Sequence, residues 1–199
     1  MKLHMKLLSD CLPGSGQVYE GLVDNDIVSD PYGLPYIPGK RIKGILRESA
    51  HNLKDVHKLC LEIDKIFDKN FRISNGYLKN YETYYQFLKS IRAENDSILK
   101  SLFDPQNVMK FFTYTRSQTA IHKKTGVAQS HSLRTMRVLK GGLEFVFDLT
   151  FNHQFSPEDE QKFKQDQENI FKVTKEFGTS RTRGLGRIIL TKPEEETAK

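Results

Sequence analysis

The chain has 199 residues, 37% of them hydrophobic and 28% charged, and 31 Lys and Arg against 25 Asp and Glu leave a formal net charge of +6. That length and apolar content suit one folded domain able to bury a core without metal or disulfide, and they exclude a disordered chain. Two cysteines, Cys11 and Cys60, make no disulfide framework, and no run approaches the ~20 apolar residues of a membrane span, so the expectation is a cytoplasmic protein with a polyanionic partner.

Leu3, Met5 and Leu7 alternate with His4, Lys6 and Leu8 and predict a strand. Residues 11–38 show no period and are full of turn formers (PGSG, DND, SDPYG, LPYIPG). An irregular stretch of that length inside a compact domain is usually functional. After Pro38-Gly39 a helix is predicted, with Ile42, Ile45, Leu46, Ala50 and Leu53 on one face. A second amphipathic segment carries Val56, Leu59, Cys60, Ile63 and Phe67, and RISNGYLK (72–79) reads as extended chain about an Asn-Gly turn. Residues 81–103 return to helix with Tyr85, Leu88, Ile91, Ile98 and Leu102 as core contacts, and 77–110 as a whole reads as a helical insertion.

Residues 113–141 form a second long polar segment with strand-like flanks and a KKTG turn. LEFVFDLTF then alternates cleanly, with Leu143, Phe145, Phe147, Leu149 and Phe151 on one face. Ser156-Pro157-Glu158-Asp159 opens a helix as N-cap, first-position proline and third-position acid. Its apolar stripe is Phe163, Ile170, Phe171 and Phe177, with Gly178 as the stop. RIILT closes the fold as a strand, and KPEEETAK is a polar tail. Two strand–helix units predict an α+β, ferredoxin-like or RRM-like domain over 1–199 with long insertions; a layered α/β fold is the alternative.

GTSRTRGLGR (178–187) fails two nucleotide tests. It lacks the spacing of a phosphate-binding GxxxxGK[ST] loop, and it follows a helix and opens a strand, the reverse of a dinucleotide fingerprint. What remains is a turn whose Gly178, Gly184 and Gly186 admit close approach of another chain. Arg181, Arg183 and Arg187 around it can reach phosphates or stand solvated.

Three segments together resemble the RAMP superfamily of CRISPR-associated proteins. The first, residues 21–50, joins the acidic GLVDNDIVS to DPYGLPYIPG and the basic helix KGILR. The second is TAIHKKTGVAQSHSLRTMRVLKGGLEF, and the third is the glycine-rich GTSRTRGLGR. They stand in the family's order and span most of the chain, with a layout closest to the backbone subunits of type III effector complexes. The resemblance implies an RRM-like palm and a β-hairpin thumb over 113–141. It also implies head-to-tail copies along a CRISPR RNA, with target RNA and other effector subunits as further partners. Such a subunit grips RNA backbone and shape and leaves sequence to base pairing.

The resemblance also assigns residues. Lys40, Lys43 and Arg47, with Arg41, lie on the helix from Gly39 and are candidates to hold guide-RNA phosphates together with the helix N-terminus; a solvated amphipathic face is the other reading. The family has two small hydroxyl residues where this chain has Lys40-Arg41. Arg116, Lys123, Lys124, Arg134 and Arg137 belong to the thumb, Val127 is a candidate wedge between bases, and His122 stands where the family usually has an acid. In members that cut target RNA the catalytic aspartate precedes the DP aspartate by six residues, which lands on Asp24. The implied cofactor is Mg²⁺, and the implied nucleophile is the target's own 2′-hydroxyl. Asp24 and Asp26 read otherwise as solvated loop acids, and Asp30 as the stabiliser of the SDPYG turn. A non-catalytic structural subunit, a stand-alone processing endoribonuclease and a small α+β enzyme with an anion site stay open. His4, His51, His57, His122, His131 and His153 show no catalytic grouping in sequence. A zinc site at His51, His57 and Cys60 lacks a second ligand pair and is not expected.

Overall fold

The computed structural model describes residues 1–14, 23–54, 56, 59–152 and 156–192. Gly21 and Leu22 of the acidic segment, His57, His153 and the tail from residue 193 lie outside them. The opening alternation becomes β1 (Lys2–Leu7), with Leu3, Met5 and Leu7 wholly buried. A short β2 (Tyr36–Ile37) leads into α1 (Gly39–Lys54), whose Ile42, Leu46, Ala50 and Leu53 are buried as their spacing predicts. Among the described residues of the second amphipathic segment, α2 (Ile63–Lys65) and a π-helical turn (Ile66–Asn70) are helical, and exposed Val56 and Cys60 lie outside them.

The chain continues through β3 (Phe71–Ile73), β4 (Gly76–Leu78), α3 (Tyr81–Ala93), α4 (Ser97–Leu102) and α5 (Pro105–Phe112). It then forms a hairpin of β5 (Thr113–Gln118) and β6 (Arg134–Leu139), followed by β7 (Glu144–Phe151), α6 (Pro157–Val173) and β8 (Ile188–Thr191). The main sheet runs β2–β4–β7–β1–β8, antiparallel throughout, with β3 also on β7. In sequence the frame is β1, α1, β3 with β4, β7, α6, β8, and each helix crosses one intervening strand. That is the ferredoxin-like arrangement of an α+β fold, not a layered α/β sheet. Helices α1 and α6 pack on each other and on β3 and β8, so the core lies on one face of the sheet. Among the described residues no helix is long and apolar enough to cross a membrane.

Phenylalanines supply the centre of this core. The Phe163 ring centroid lies 6.4 Å from Phe67, 5.0 Å from Phe71 and 5.4 Å from Phe151. Phe163→Ala is expected to cost about 3–5 kcal/mol, read as a lower urea midpoint, because three rings lose their common partner. Helix α6 begins as predicted, with Ser156 Oγ accepting from the Asp159 N–H at 3.1 Å. The Lys65 ammonium, 2.9 Å from Asp159, and the Ser156 hydroxyl hold the Asp159 carboxyl below its usual range. A carboxylate with a depressed folded pKa stabilises above its unfolded value of about 3.9 and loses that contribution as pH falls through the folded value. The stability gap between wild type and Asp159→Asn should therefore be wide at neutral pH and close in acid.

The structure differs from expectation in three further places. RISNGYLK is not a hairpin: β3 and β4 both pair with β7, and residues 74–75 form a kink between them. Ser74 bridges that kink, its N–H donating to Asp148 O at 2.9 Å and its Oγ accepting from the Asp148 N–H at 2.8 Å. Gly76 follows because a Cβ there would stand 2.2 Å from the Phe147 ring. The helix over 81–103 is two helices, since Asp96 accepts from the Ile98 and Leu99 N–H groups and starts α4 afresh. Ile98 and Leu102 consequently face solvent. Helix α6 ends at Val173 rather than at Gly178, with the Thr174 hydroxyl donating to Ile170 O at 2.7 Å.

Candidate nucleic-acid interface

Two of the three motif segments, the hairpin and the glycine-rich loop, are drawn together by residues 10–12, which follow β1. Cys11 pairs backbone to backbone with Leu139 at the base of the hairpin, at 2.9 and 2.8 Å. Asp10 accepts from the Tyr114 hydroxyl on β5 and from the Gly141 N–H at 2.9 Å, while its carbonyl accepts from the Gly186 N–H at 2.7 Å. The Leu12 carbonyl accepts from the Thr179 N–H at 2.9 Å, and Leu12 joins Met136, Val138 and Leu185 in a small second core. Hairpin and glycine-rich loop are thereby clamped to one short strap. Burial pushes the Cys11 thiol up to about 12, so it fills space there and does not act as a nucleophile.

The acidic segment docks on the free edge of β6. The Asp24 N–H donates to Thr135 O at 2.8 Å, the Thr135 N–H donates to Asp24 Oδ2 at 2.6 Å, and the Arg137 N–H donates to Asn25 O at 3.0 Å. Asp24 stays exposed, and its second carboxylate oxygen has no partner among the described residues. Between this segment, the hairpin and the glycine-rich loop opens a cleft of about 740 Å³. Asp24 lines it, with Arg134 and His131 from the hairpin and Ser180 and Arg183 from the loop. The Arg183 guanidinium donates to Gln118 Oε1 at 2.7 Å across the cleft.

The glycines serve this docking. Gly178, Gly184 and Gly186 have φ of 90°, 78° and 81°, in the left-handed region. At Gly178 a Cβ would come 2.4 Å from Leu12 O, and at Gly186 2.0 Å from Phe177 O. Gly178 and Gly186 admit the protein's own backbone, which lets the loop pack against the strap at Leu12 and against Phe177.

Several predicted cations are committed elsewhere. The Lys43 ammonium donates to Phe71 O at 2.7 Å, and burial lowers its pKa. Arg47 holds Asp64 and Asp68 at 2.6 and 2.8 Å. Arg137 Nε lies 3.2 Å from Asp26 Oδ1, so Asp26 is a buried ion-pair partner and not a solvated acid. Gly39 at the start of α1 donates to Asn75 Oδ1 at 3.1 Å and abuts the carbonyls of Ile73 and Ser74, so the β3–β4 kink closes that N-terminus against an anion. Lys40 and Arg41 are exposed, and the Arg41 guanidinium extends toward Gly14. Arg181 pairs with Glu48 of α1 at 3.5 Å, and Arg187 is exposed beside β8. Lys123, Lys124 and Val127 stand exposed at the hairpin tip, while Arg116 is half-buried opposite Met136. Asp30 does stabilise its turn, accepting from the Tyr32 and Leu34 N–H groups at 2.8 and 2.9 Å and from the Tyr81 hydroxyl at 2.9 Å.

His51 Nε2 lies 3.3 Å from Asp64, and Cys60 is exposed. Among the described residues no three His, Cys, Asp or Glu side chains come together as a metal-binding group. The residues that sequence reasoning missed are Asp10, Gln118, His131 and Ser180. The last two have a backbone signal that only the structure reveals, φ of 57° and 58°.

A family model of the RAMP superfamily matches residues 5–189. No curated protein matches the chain. Among solved structures, a chain of the type III-B Cmr-beta complex in the apo state superposes with a TM-score of 0.68 at 12% identity, covering 98% of this chain and 97% of that one. A chain of the type III-B Cmr-beta complex bound to cognate target RNA superposes with a TM-score of 0.64 at 13% identity, covering 95% of each. At these identities the likeness is one of fold.

Proposed function

The chain belongs to the RAMP superfamily, and on that premise we propose that it is a CRISPR-RNA-binding backbone subunit of a cytoplasmic type III ribonucleoprotein that cuts guide-paired target RNA at Asp24. Its partners in this reading are guide RNA, target RNA, further copies of itself set head to tail, and other effector subunits. The neighbours of like fold belong to type III-B Cmr-beta complexes, one of them bound to cognate target RNA, which supports the class of partner. The observation that carries the reading is the single cleft in which an exposed carboxylate meets Arg134 and Arg183.

Arg134 and Arg183 bind phosphate oxygens there, and they offset the negative charge that builds on those oxygens during attack. Lys123 and Lys124 extend the grip along the hairpin, with Val127 placed to part the bases. Asp24, fixed by its two hydrogen bonds to Thr135, presents its second oxygen to the cleft. The family implies Mg²⁺, and the residues fit it: the free oxygen of Asp24 would hold the ion together with RNA phosphate oxygens and water, and the ion would supply activation of the 2′-hydroxyl and shielding of the leaving oxygen. The same Thr135 bond favours a second reading, in which Asp24 only fastens the acidic segment to the hairpin and the subunit is structural.

RNA binding is tested with Arg134→Ala/Arg183→Ala. Affinity for RNAs of unrelated sequence should fall by a similar factor for each. The slope of log affinity against log salt should become shallower by about one to two units, as two phosphate contacts are lost. Unchanged affinity and slope would remove the cleft as the RNA site.

A further inference from the structure

We infer that the face of the main sheet turned away from α1 and α6 is a second RNA site, where unpaired bases stack on Tyr77 and Tyr36 and lysines hold the phosphates. The inference does not rest on the cleft, and the residues lining the two surfaces have none in common.

Strand alternation builds this surface. The buried residues of β1, β4, β7 and β8 alternate with residues that therefore stand on the opposite face. The pairing registers set five of these in one row across the sheet. Tyr36 lies opposite Tyr77, Tyr77 opposite Val146, Val146 opposite His4, and His4 opposite Thr191. Tyr77 is 37% exposed, and its ring centroid lies 5.8 Å from that of Tyr36 and 4.7 Å from that of Tyr81. The Tyr81 hydroxyl donates to Asp30 Oδ2 at 2.9 Å, so Tyr77 rests on a fixed neighbour and has little freedom to lose on binding. The His4 imidazole is half-buried and makes no hydrogen bond or ion pair among the described residues.

Charge decides what such a surface receives. Beside the aromatic row, Glu144 lies 3.5 Å from the Lys6 ammonium and 3.1 Å from that of Lys79. One carboxylate shared by two ammonium groups leaves surplus positive charge and unused N–H donors. On the other flank Lys2, opposite Asp148 in register, makes no ion pair among the described residues. Lys192 closes the β8 end, 3.2 Å from Glu168 of α6. The face is concave, with about 890 Å³ of open volume from Lys79 and Asn80 to Thr191 and Lys192. An aromatic centre ringed by lysines suits single-stranded RNA, because any base stacks on a ring while cations follow the backbone. Protein interfaces are depleted in lysine, and a duplex keeps its bases stacked on one another, so neither matches the surface as well.

The test uses the full chain and an oligouridylate of about ten nucleotides carrying 4-thiouridine. Photocrosslinking with peptide mapping should place RNA on the segments that bear Tyr36 and Tyr77, and should still do so in Arg134→Ala/Arg183→Ala. In that background Tyr77→Ala should weaken binding about tenfold or more. Tyr77→Leu should do the same although it keeps an apolar side chain against Tyr81, and Tyr77→Phe should bind like its parent. Lys2→Gln/Lys6→Gln should make the slope of log affinity against log salt shallower by about one unit. Crosslinks confined to the cleft overturn the inference, as does loss of all binding in Arg134→Ala/Arg183→Ala. Tyr77→Leu binding like its parent, or Tyr77→Phe losing as much as Tyr77→Leu, overturns it too. Competition by an RNA duplex removes the role of stacking, and competition by polyglutamate makes the face a dock for an acidic protein; either result overturns the assignment. If crosslinks at Tyr77 persist while Arg134→Ala/Arg183→Ala changes nothing, the sheet site stands and the cleft falls as an RNA site.

Discussion

Replacing Asp24 by asparagine should abolish cutting of guide-paired RNA by the assembled complex while leaving its RNA affinity intact. The expected loss is about 10²–10⁴-fold, the range for a side chain positioned in the chemical step. Asparagine is the informative choice because of what Asp24 does for the fold. Its carboxylate accepts the Thr135 N–H at 2.6 Å, and its own N–H donates to the Thr135 carbonyl. An amide oxygen keeps the first bond and leaves the second untouched, so Asp24→Asn removes charge and basicity but not the clasp on β6. Asp24→Ala removes the clasp as well and frees the acidic segment on that edge. Two outcomes separate the two roles. If both variants bind RNA and neither cuts, the carboxylate acts in the chemistry. If Asp24→Asn cuts normally and Asp24→Ala does not, the side chain fastens the segment and the subunit is structural.

That ambiguity shows how far this molecule could be read from its residues. The frame was legible because it is periodic. Leu3, Met5 and Leu7, the 42–53 face of α1 and the alternation from Leu143 to Phe151 all point to one core, and they meet there, with Ile45, Leu143 and Phe151 partly buried at its margin. Breaks inside elements were harder, although Asp96-Ser97 and Asp104-Pro105 are cap signals for two helices that a continuous apolar stripe concealed. The kink at Ser74 and Asn75 was not legible, because it depends on which strand the segment pairs with. The site divides in the same way. Asp24, Arg134 and Arg183 could be singled out, but not their convergence, which hangs on the strap at Asp10 and Leu12 and on backbone bonds that carry no side-chain pattern. Charge misled for a related reason. A cation in sequence does not show its partner, and Arg47 finds Asp64 and Asp68 while Arg137 finds Asp26 on a distant segment. His131 stayed hidden as one polar residue among many, since only a fold makes it the sole imidazole among the described residues of the cleft.

The glycine-rich loop yields the second large effect, and it separates two glycines that look alike in sequence. Gly184→Ala and Gly186→Ala both place a side chain at a left-handed position, with φ of 78° and 81°. That conformation alone costs a non-glycine residue about 1–2 kcal/mol. At Gly184 nothing lies within 4 Å of a Cβ, so the backbone term is the whole effect. At Gly186 the Cβ would stand 2.0 Å from Phe177 O, and the loop cannot yield without cost. The Phe177 N–H donates to Gly186 O at 2.7 Å, and the Gly186 N–H donates to Asp10 O at 2.7 Å. Relieving the clash breaks both bonds, at about 1 kcal/mol each, so Gly186→Ala should cost about 3–4 kcal/mol. Denaturant midpoints of the two variants measure the difference. The functional consequence follows from the strap. Asp10 also holds Tyr114 and Gly141, so a displaced Gly186 loosens the anchor of the hairpin and draws Arg183 away from Gln118. Gly186→Ala should therefore lose RNA affinity under conditions where it is still folded, and Gly184→Ala should not. Equal midpoints for the two would mean that the close approach at Phe177 does not hold the loop, and that the three arginines are placed by the arginine-bearing turn itself.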